Sequence, residues 1–82
     1  MPRFFYVYVL VSKTDETIRY TGVTRDLQAR VTKHNRGRCV HTSKYRPWHL
    51  EIAVAFKSER KAHAFEKYLK SGSGREFARR HF

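Results

Sequence analysis

The sequence predicts an α+β domain: a small three-stranded, mainly antiparallel sheet flanked by helices, in the order β-β-α-β-α-(α). Three observations carry that expectation. The stretch FFYVYVLVS near the start is aromatic and β-branched, and too short for a helix of this composition. Residues 20–35, YTGVTRDLQARVTKHN, leave a strand through a glycine and enter a helical repeat. Residues 49–56, HLEIAVAF, alternate, and a second helical pattern, ERKAHAFEKYLKS, follows directly.

The elements follow in order. FFYVYVLVS reads as a strand buried on both faces, because it carries no polar alternation. KTDE is the turn, and TIRYTGV the returning strand, with Ile18, Tyr20 and Gly22 alternating against Arg19, Thr21 and Val23. A turn centred near residue 14 sets Tyr8 opposite Tyr20. Thr24 is the expected cap of the next helix, with Asp26 in its first turn, where the macrodipole favours an acid. That helix runs to about Arg36 and stops at Gly37. Residues 37–48 form a polar connection ending in RPW. The third strand places Leu50, Ile52, Val54 and Phe56 on one face. Ser58 caps the second helix, GSG breaks it, and Arg75–Phe82 form a short last helix. No repeat or linker interrupts the order, so the 82 residues form one domain.

A chain this short buries about 60% of the surface its unfolded form exposes. Its 15% aromatic content is enough for a real core. Cys39 is the sole cysteine, which excludes a disulfide framework and fits a reducing, cytoplasmic compartment. The longest apolar run, Phe4–Val11, falls well short of the roughly 20 residues of a membrane-spanning helix. It also lacks a small-residue cleavage site, so neither membrane nor export signal is expected.

The charge is more informative. Eighteen Lys and Arg face seven acids, for a formal net charge of +11. Eight cations lie between Arg19 and Arg46 and eight between Lys57 and Arg80, so the excess spreads over both halves. Such a surface attracts phosphate polyanions by direct pairing and counterion release, and the expected partner is nucleic acid.

On the first helix Leu27 and Val31 form the core stripe. His34 falls beside Leu27 in angle on the same stripe, and Arg30 stands one turn before it on the stripe's edge. A histidine there is ordinary core; an arginine beside it needs an anionic partner if partly buried. Among the acids, Asp15 and Glu16 belong to a turn, and Asp26, Glu59 and Glu76 to first turns of helices. Glu51 shares a strand face with Ala53 and Ala55. Glu66 alone is mid-helix, flanking the stripe of Ala62, Phe65 and Leu69. It is either a surface partner for Lys70 at i+4 or an oxygen ligand for a hard cation, and the pattern leaves both open. Cys39 and His41 have no second pair at zinc spacing, and GSGR lacks the strand and lysine–hydroxyl pair of a phosphate loop.

Taken together, YVYVL, then YTG about ten residues on, then Arg30 and His34, and later Glu66, resemble the GIY-YIG nuclease family. The likeness spans nearly the whole chain. EKYLKSGSGR is similar to small stand-alone bacterial members, related to the N-terminal nuclease domain of the bacterial repair excinuclease. The first motif reads Val-Tyr-Val in place of Gly-Ile-Tyr, and Thr21 stands where Ile is usual. Neither change removes a functional side chain. The asparagine that some members carry late in the chain has no counterpart after Asn35, leaving that role vacant or to Ser71 or Ser73.

The resemblance implies a one-metal endonuclease on DNA, with RNA not excluded, acting in repair, recombination or processing in the cytoplasm at the nucleoid. With no room for a separate recognition domain, selection by structure rather than sequence is expected. By position, Tyr8, Tyr20, Arg30, His34 and Glu66 are the implied catalytic set. Glu66 would hold Mg²⁺ or Mn²⁺ against the leaving oxygen, and Arg30 would pair with the scissile phosphate. Tyr20 is the first choice of base, with Tyr8 and His34 positioning water or phosphate and His34 the alternative base. A phenol must then be lowered from a pKa near 10 by its cationic surroundings. Arg25, Lys33, Lys44, Arg46, Lys70, Ser71 and Arg75 are the candidate substrate contacts. A binding module keeping the fold without turnover is the rival reading.

Overall fold

Eight residues with almost nothing polar among them make the middle of the sheet. In the computed structural model, which describes residues 3–82, β1 (Phe5–Ser12) lies between β2 (Arg19–Thr24) and β3 (Trp48–Phe56), antiparallel to both. Alternate side chains of β1 therefore enter two cores, as its unbroken apolar run predicts. Val7 and Val9 meet Ala62 and Leu69, with Phe65, Phe77 and Phe82 packed around them. Tyr8 and Leu10 join Trp48, Leu27 and Val31 on the opposite face. The first core is closed by α2 (Glu59–Leu69) and α3 (Gly72–His81), the second by α1 (Leu27–Asn35). Each aliphatic side chain fully buried this way contributes about 1.5–3 kcal/mol.

The architecture and element order match the expectation from sequence, but four local features differ. Tyr8 pairs with Gly22, and Tyr20 with Leu10, so the hairpin is centred one residue later than expected. Side chains set that turn. Ser12 Oγ accepts from the backbone N–H groups of Thr14 and Asp15, and the Asp15 carboxylate takes the N–H and hydroxyl of Thr17. Because the shift amounts to two positions on β2, Tyr20 keeps the face of Tyr8 as a diagonal neighbour.

Asp26, not Thr24, caps α1: its carboxylate accepts from the Ala29 N–H at 3.0 Å. Thr24 stays in β2 opposite Tyr6, and its hydroxyl takes the Asp26 N–H at 3.1 Å, so the helix begins later. Leu50 leaves the face of Ile52, Val54 and Phe56. Val9 faces Ile52 while Leu10 faces Leu50, which leaves Glu51 as the extra residue of a bulge and turns Leu50 over. The carboxylate of Glu51 reaches across β1 to the Arg19 guanidinium.

The GSG triplet, expected to break a helix, is the first turn of α3. Ser71 caps it by accepting the Gly74 N–H, and Gly74 fits where the carbonyl of Tyr68 leaves no room for a side chain. Glycine's poor helix propensity is outweighed by that close crossing of α2 and α3.

Between α1 and β3 the chain is tied down by Asn35. Its side chain accepts from the Trp48 N–H at 2.6 Å and donates to the Trp48 carbonyl at 3.1 Å. The Trp48 indole N–H in turn donates to the Thr42 carbonyl at 2.9 Å. This holds the connection, with its single 3₁₀ turn at Ser43–Tyr45, against the C-terminal end of α1.

Candidate active site

Three elements bring three rings together. Tyr8 rises from the centre of β1, Tyr20 from β2, and His34 from the last turn of α1 onto the same face of the sheet. The ring centroids of Tyr20 and His34 are 4.9 Å apart, those of Tyr8 and Tyr20 6.2 Å, and those of Tyr8 and His34 6.1 Å. Tyr8 Oη lies 3.1 Å from His34 Nε2, and His34 Nδ1 lies 2.8 Å from Thr42 Oγ1. Tyr8, His34 and Thr42 are all buried, whereas Tyr20 is half-buried and borders a groove. Of the two phenols, Tyr20 is the one that meets solvent.

Gly22 makes this packing possible. A Cβ there would stand 2.6 Å from Tyr8 Oη and 2.7 Å from its Cζ, so the phenol rests directly on the glycine. Gly22→Ala should push the ring off its histidine. Overpacking of this kind costs about 1–3 kcal/mol, which lowers the Tm of a domain this size by roughly 10 °C. A thermal melt matching the parent would show that the phenol can move aside freely.

The electrostatics separate the groups. Burial above all, with Tyr20 next, pushes the Tyr8 phenol well above its ordinary value, against the opposing pull of Arg30. For Tyr8, therefore, desolvation outweighs the cationic surroundings that the sequence suggests would lower a phenol. Burial also lowers the His34 pKa, helped by the charges of Arg30 and Lys33, and keeps the imidazole neutral near pH 7.

Arg30 stands one turn before His34 and is half-buried. It lines a depression of about 380 Å³ with Thr24, Arg25, Asp26, Glu59 and His63. Its side chain makes no ion pair among the described residues. A half-buried guanidinium with no ion pair among the described residues is free to meet an incoming anion.

Glu66, on α2, has 21% of its side chain exposed and receives Lys70 Nζ at 2.7 Å, so the i+4 pair does form. Its charge also acts on the Tyr8 phenol, as that of Arg30 does, which brings the carboxylate within electrostatic reach of the rings. Among the described residues, no three His, Cys, Asp or Glu groups gather closely enough to cage a metal. A single carboxylate here would leave most of the shell of a Mg²⁺ or Mn²⁺ ion to water and substrate phosphate.

The remaining candidates fall into separate places. Lys70 and Arg75 line a groove of about 680 Å³ with Arg19, Tyr20 and Arg79, floored by Val9, Leu69 and Ala78. Arg25 lies over the Phe5 ring, 5.0 Å from its centroid, at the mouth of the Arg30 depression. Lys33 is exposed on α1. Lys44 and Arg46 lie in the connection beyond it, where Arg46 Nε donates to the Ser43 carbonyl at 2.8 Å and its guanidinium covers Gly37. Ser71 is occupied in capping α3 and in donating to the Tyr68 carbonyl at 2.6 Å.

The model of the GIY-YIG catalytic domain matches residues 4–80, nearly the whole chain. The chain belongs to the GIY-YIG family. Relatives include UPF0213 proteins of Staphylococcus aureus strains Mu3, Mu50 and N315. Each is 34% identical over 65 residues, covering 78% of this chain and 79% of the relative. No solved structure matches the chain significantly. GIY-YIG membership implies a nuclease domain and a nucleic-acid substrate, in keeping with the charge. No helix among the described residues is long and apolar enough to cross a membrane.

Two residues of the ring cluster are not visible to sequence analysis in the parts they play. Gly22 reads as a strand position, and its contact with Tyr8 follows from the hairpin register. Thr42 sits in a polar connection whose composition gives no signal; the fold alone brings it to His34.

Proposed function

We propose that this chain is a metal-dependent endonuclease that hydrolyses DNA phosphodiester bonds, selecting substrate structure rather than sequence, in repair, recombination or processing. One observation carries the reading. Tyr8, Tyr20 and neutral His34 converge near a half-buried Arg30 that has no ion pair among the described residues, with Glu66 in electrostatic range.

Each group has a task that its surroundings suit. Arg30 takes two non-bridging oxygens of the scissile phosphate through its planar fork and stabilises the charge that grows there. Tyr20, the phenol open to solvent, would act as its phenolate, orienting the attacking water and receiving its proton. His34 packs against the Tyr20 ring, and its edge is committed to Tyr8, so both phenols are held in place. Glu66 would hold the metal, which when bound supplies Lewis-acid stabilisation at the leaving oxygen. Arg25 on one side and Lys70 and Arg75 on the other would carry the flanking phosphates.

The test is a panel of labelled linear, nicked, flapped and branched DNA substrates, with matched RNA, in Mg²⁺, Mn²⁺ or EDTA. Cleavage that needs the metal and prefers particular junctions is expected. Binding in EDTA should weaken steeply with salt and vary little with sequence. Salt-sensitive binding with no cleavage of any substrate would assign the chain as a binding module.

A further inference from the structure

Thr42 belongs to no motif, yet its hydroxyl is the partner of His34 Nδ1 inside the protein. The hydrogen-bond inventory of these side chains favours one direction for the protons. The Thr42 hydroxyl has one proton, and the Cys39 carbonyl stands 3.3 Å away to take it. The same oxygen is then free to accept from His34 Nδ1–H, which leaves a lone pair on Nε2 for the Tyr8 hydroxyl at 3.1 Å. With the proton on Nε2 instead, Thr42 would have to turn its donor to Nδ1. The Tyr8 hydroxyl proton would then have no acceptor among the described residues, within a core where every buried side-chain polar atom is partnered.

Thr42 is itself held from two sides, independently of the histidine. Its N–H donates to the Cys39 carbonyl at 3.1 Å, and its own carbonyl receives the Trp48 indole. The hydroxyl is thus delivered to His34 by a segment tied down through its backbone.

We propose that Thr42 is a positioning residue that fixes His34 in the Nδ1–H tautomer, so that Nε2 receives the Tyr8 phenolic proton and the ring stays against Tyr20. Its bearing on catalysis rests on the reading of this cluster as a nuclease site; the tautomer does not. Thr42→Val keeps the shape and removes the acceptor, while Thr42→Ser keeps the acceptor.

Long-range ¹H–¹⁵N spectra of protein labelled at histidine nitrogen test it directly. His41, His49, His63 and His81 are exposed and serve as internal references for an intact fold. In the parent, His34 should show a protonated Nδ1 and an unprotonated Nε2. Thr42→Val strands the Nδ1–H donor, so the Nε2–H form should gain population relative to the parent, and the variant's kcat should fall on the order of 10-fold at nearly constant KM. Thr42→Ser should restore both. A parent His34 protonated on Nε2, or a Val variant whose tautomer ratio matches the parent's, overturns the proposal. If Thr42→Val does not fold, the parent spectrum and the Ser variant still decide. A parent that shows the expected tautomer but cleaves nothing upholds the role of Thr42 in the fold and removes the nuclease reading instead.

Discussion

Arg30→Ala is expected to cost on the order of 10²-fold or more in cleavage while weakening DNA binding only slightly. The side chain is half-buried, has no ion pair among the described residues, and projects its charge onto Tyr8 and His34. In the ground state it is one cation among eighteen Lys and Arg, so its loss removes one phosphate contact from many. In the transition state it would be the group closest to the added charge, where removing one donor costs about 2.7–4 kcal/mol. Arg30→Lys should recover little, because an ammonium cannot reproduce the bidentate fork. Stability should hardly change, since no partner is stranded. Single-turnover cleavage and binding in EDTA separate the two effects. A folded Ala variant that cleaves at nearly the parent rate would leave Arg30 as a surface cation.

How much of this is legible in the sequence depends on how local each determinant is. β1 is readable because eight nearly apolar residues can only be a doubly buried strand in a chain this short. Arg30 and His34 are readable because helical spacing puts i and i+4 side by side whatever surrounds them. The hairpin register is not, since Ser12, Asp15 and Thr17 redirect the turn through side-chain bonds that the pattern of strand residues does not encode. Leu50 is misplaced for a similar reason. A bulge at Glu51 inverts the alternation, and no residue type announces a bulge. Gly74 misleads because its low helix propensity is a local property, while the crossing with Tyr68 is tertiary. Thr42 lies furthest from legibility: eight positions beyond His34, in a segment without periodicity, it is brought there by Asn35 and Trp48.

Glu66→Gln separates an enzyme from a binder. Glu66 lies within α2, away from any turn or helix N-terminus, and its carboxylate already accepts Lys70 in a chain of net charge +11. A pair this exposed is worth only a few tenths of a kcal/mol, so its loss should not unfold the protein. The amide keeps the size of the side chain and loses the charge that makes a carboxylate a ligand for Mg²⁺ or Mn²⁺. Metal-dependent cleavage should therefore disappear. DNA affinity in EDTA should hold or rise, because one negative charge has left a surface that receives phosphates and Lys70 has been released to meet them. A binding module would show the same small gain in affinity but no metal-dependent cleavage in the parent. Nicking across a divalent-metal titration, with affinity in EDTA measured on the same two proteins, decides between them. Equal cleavage by parent and variant would remove Glu66 from the metal site, and with it the proposal of a one-carboxylate centre.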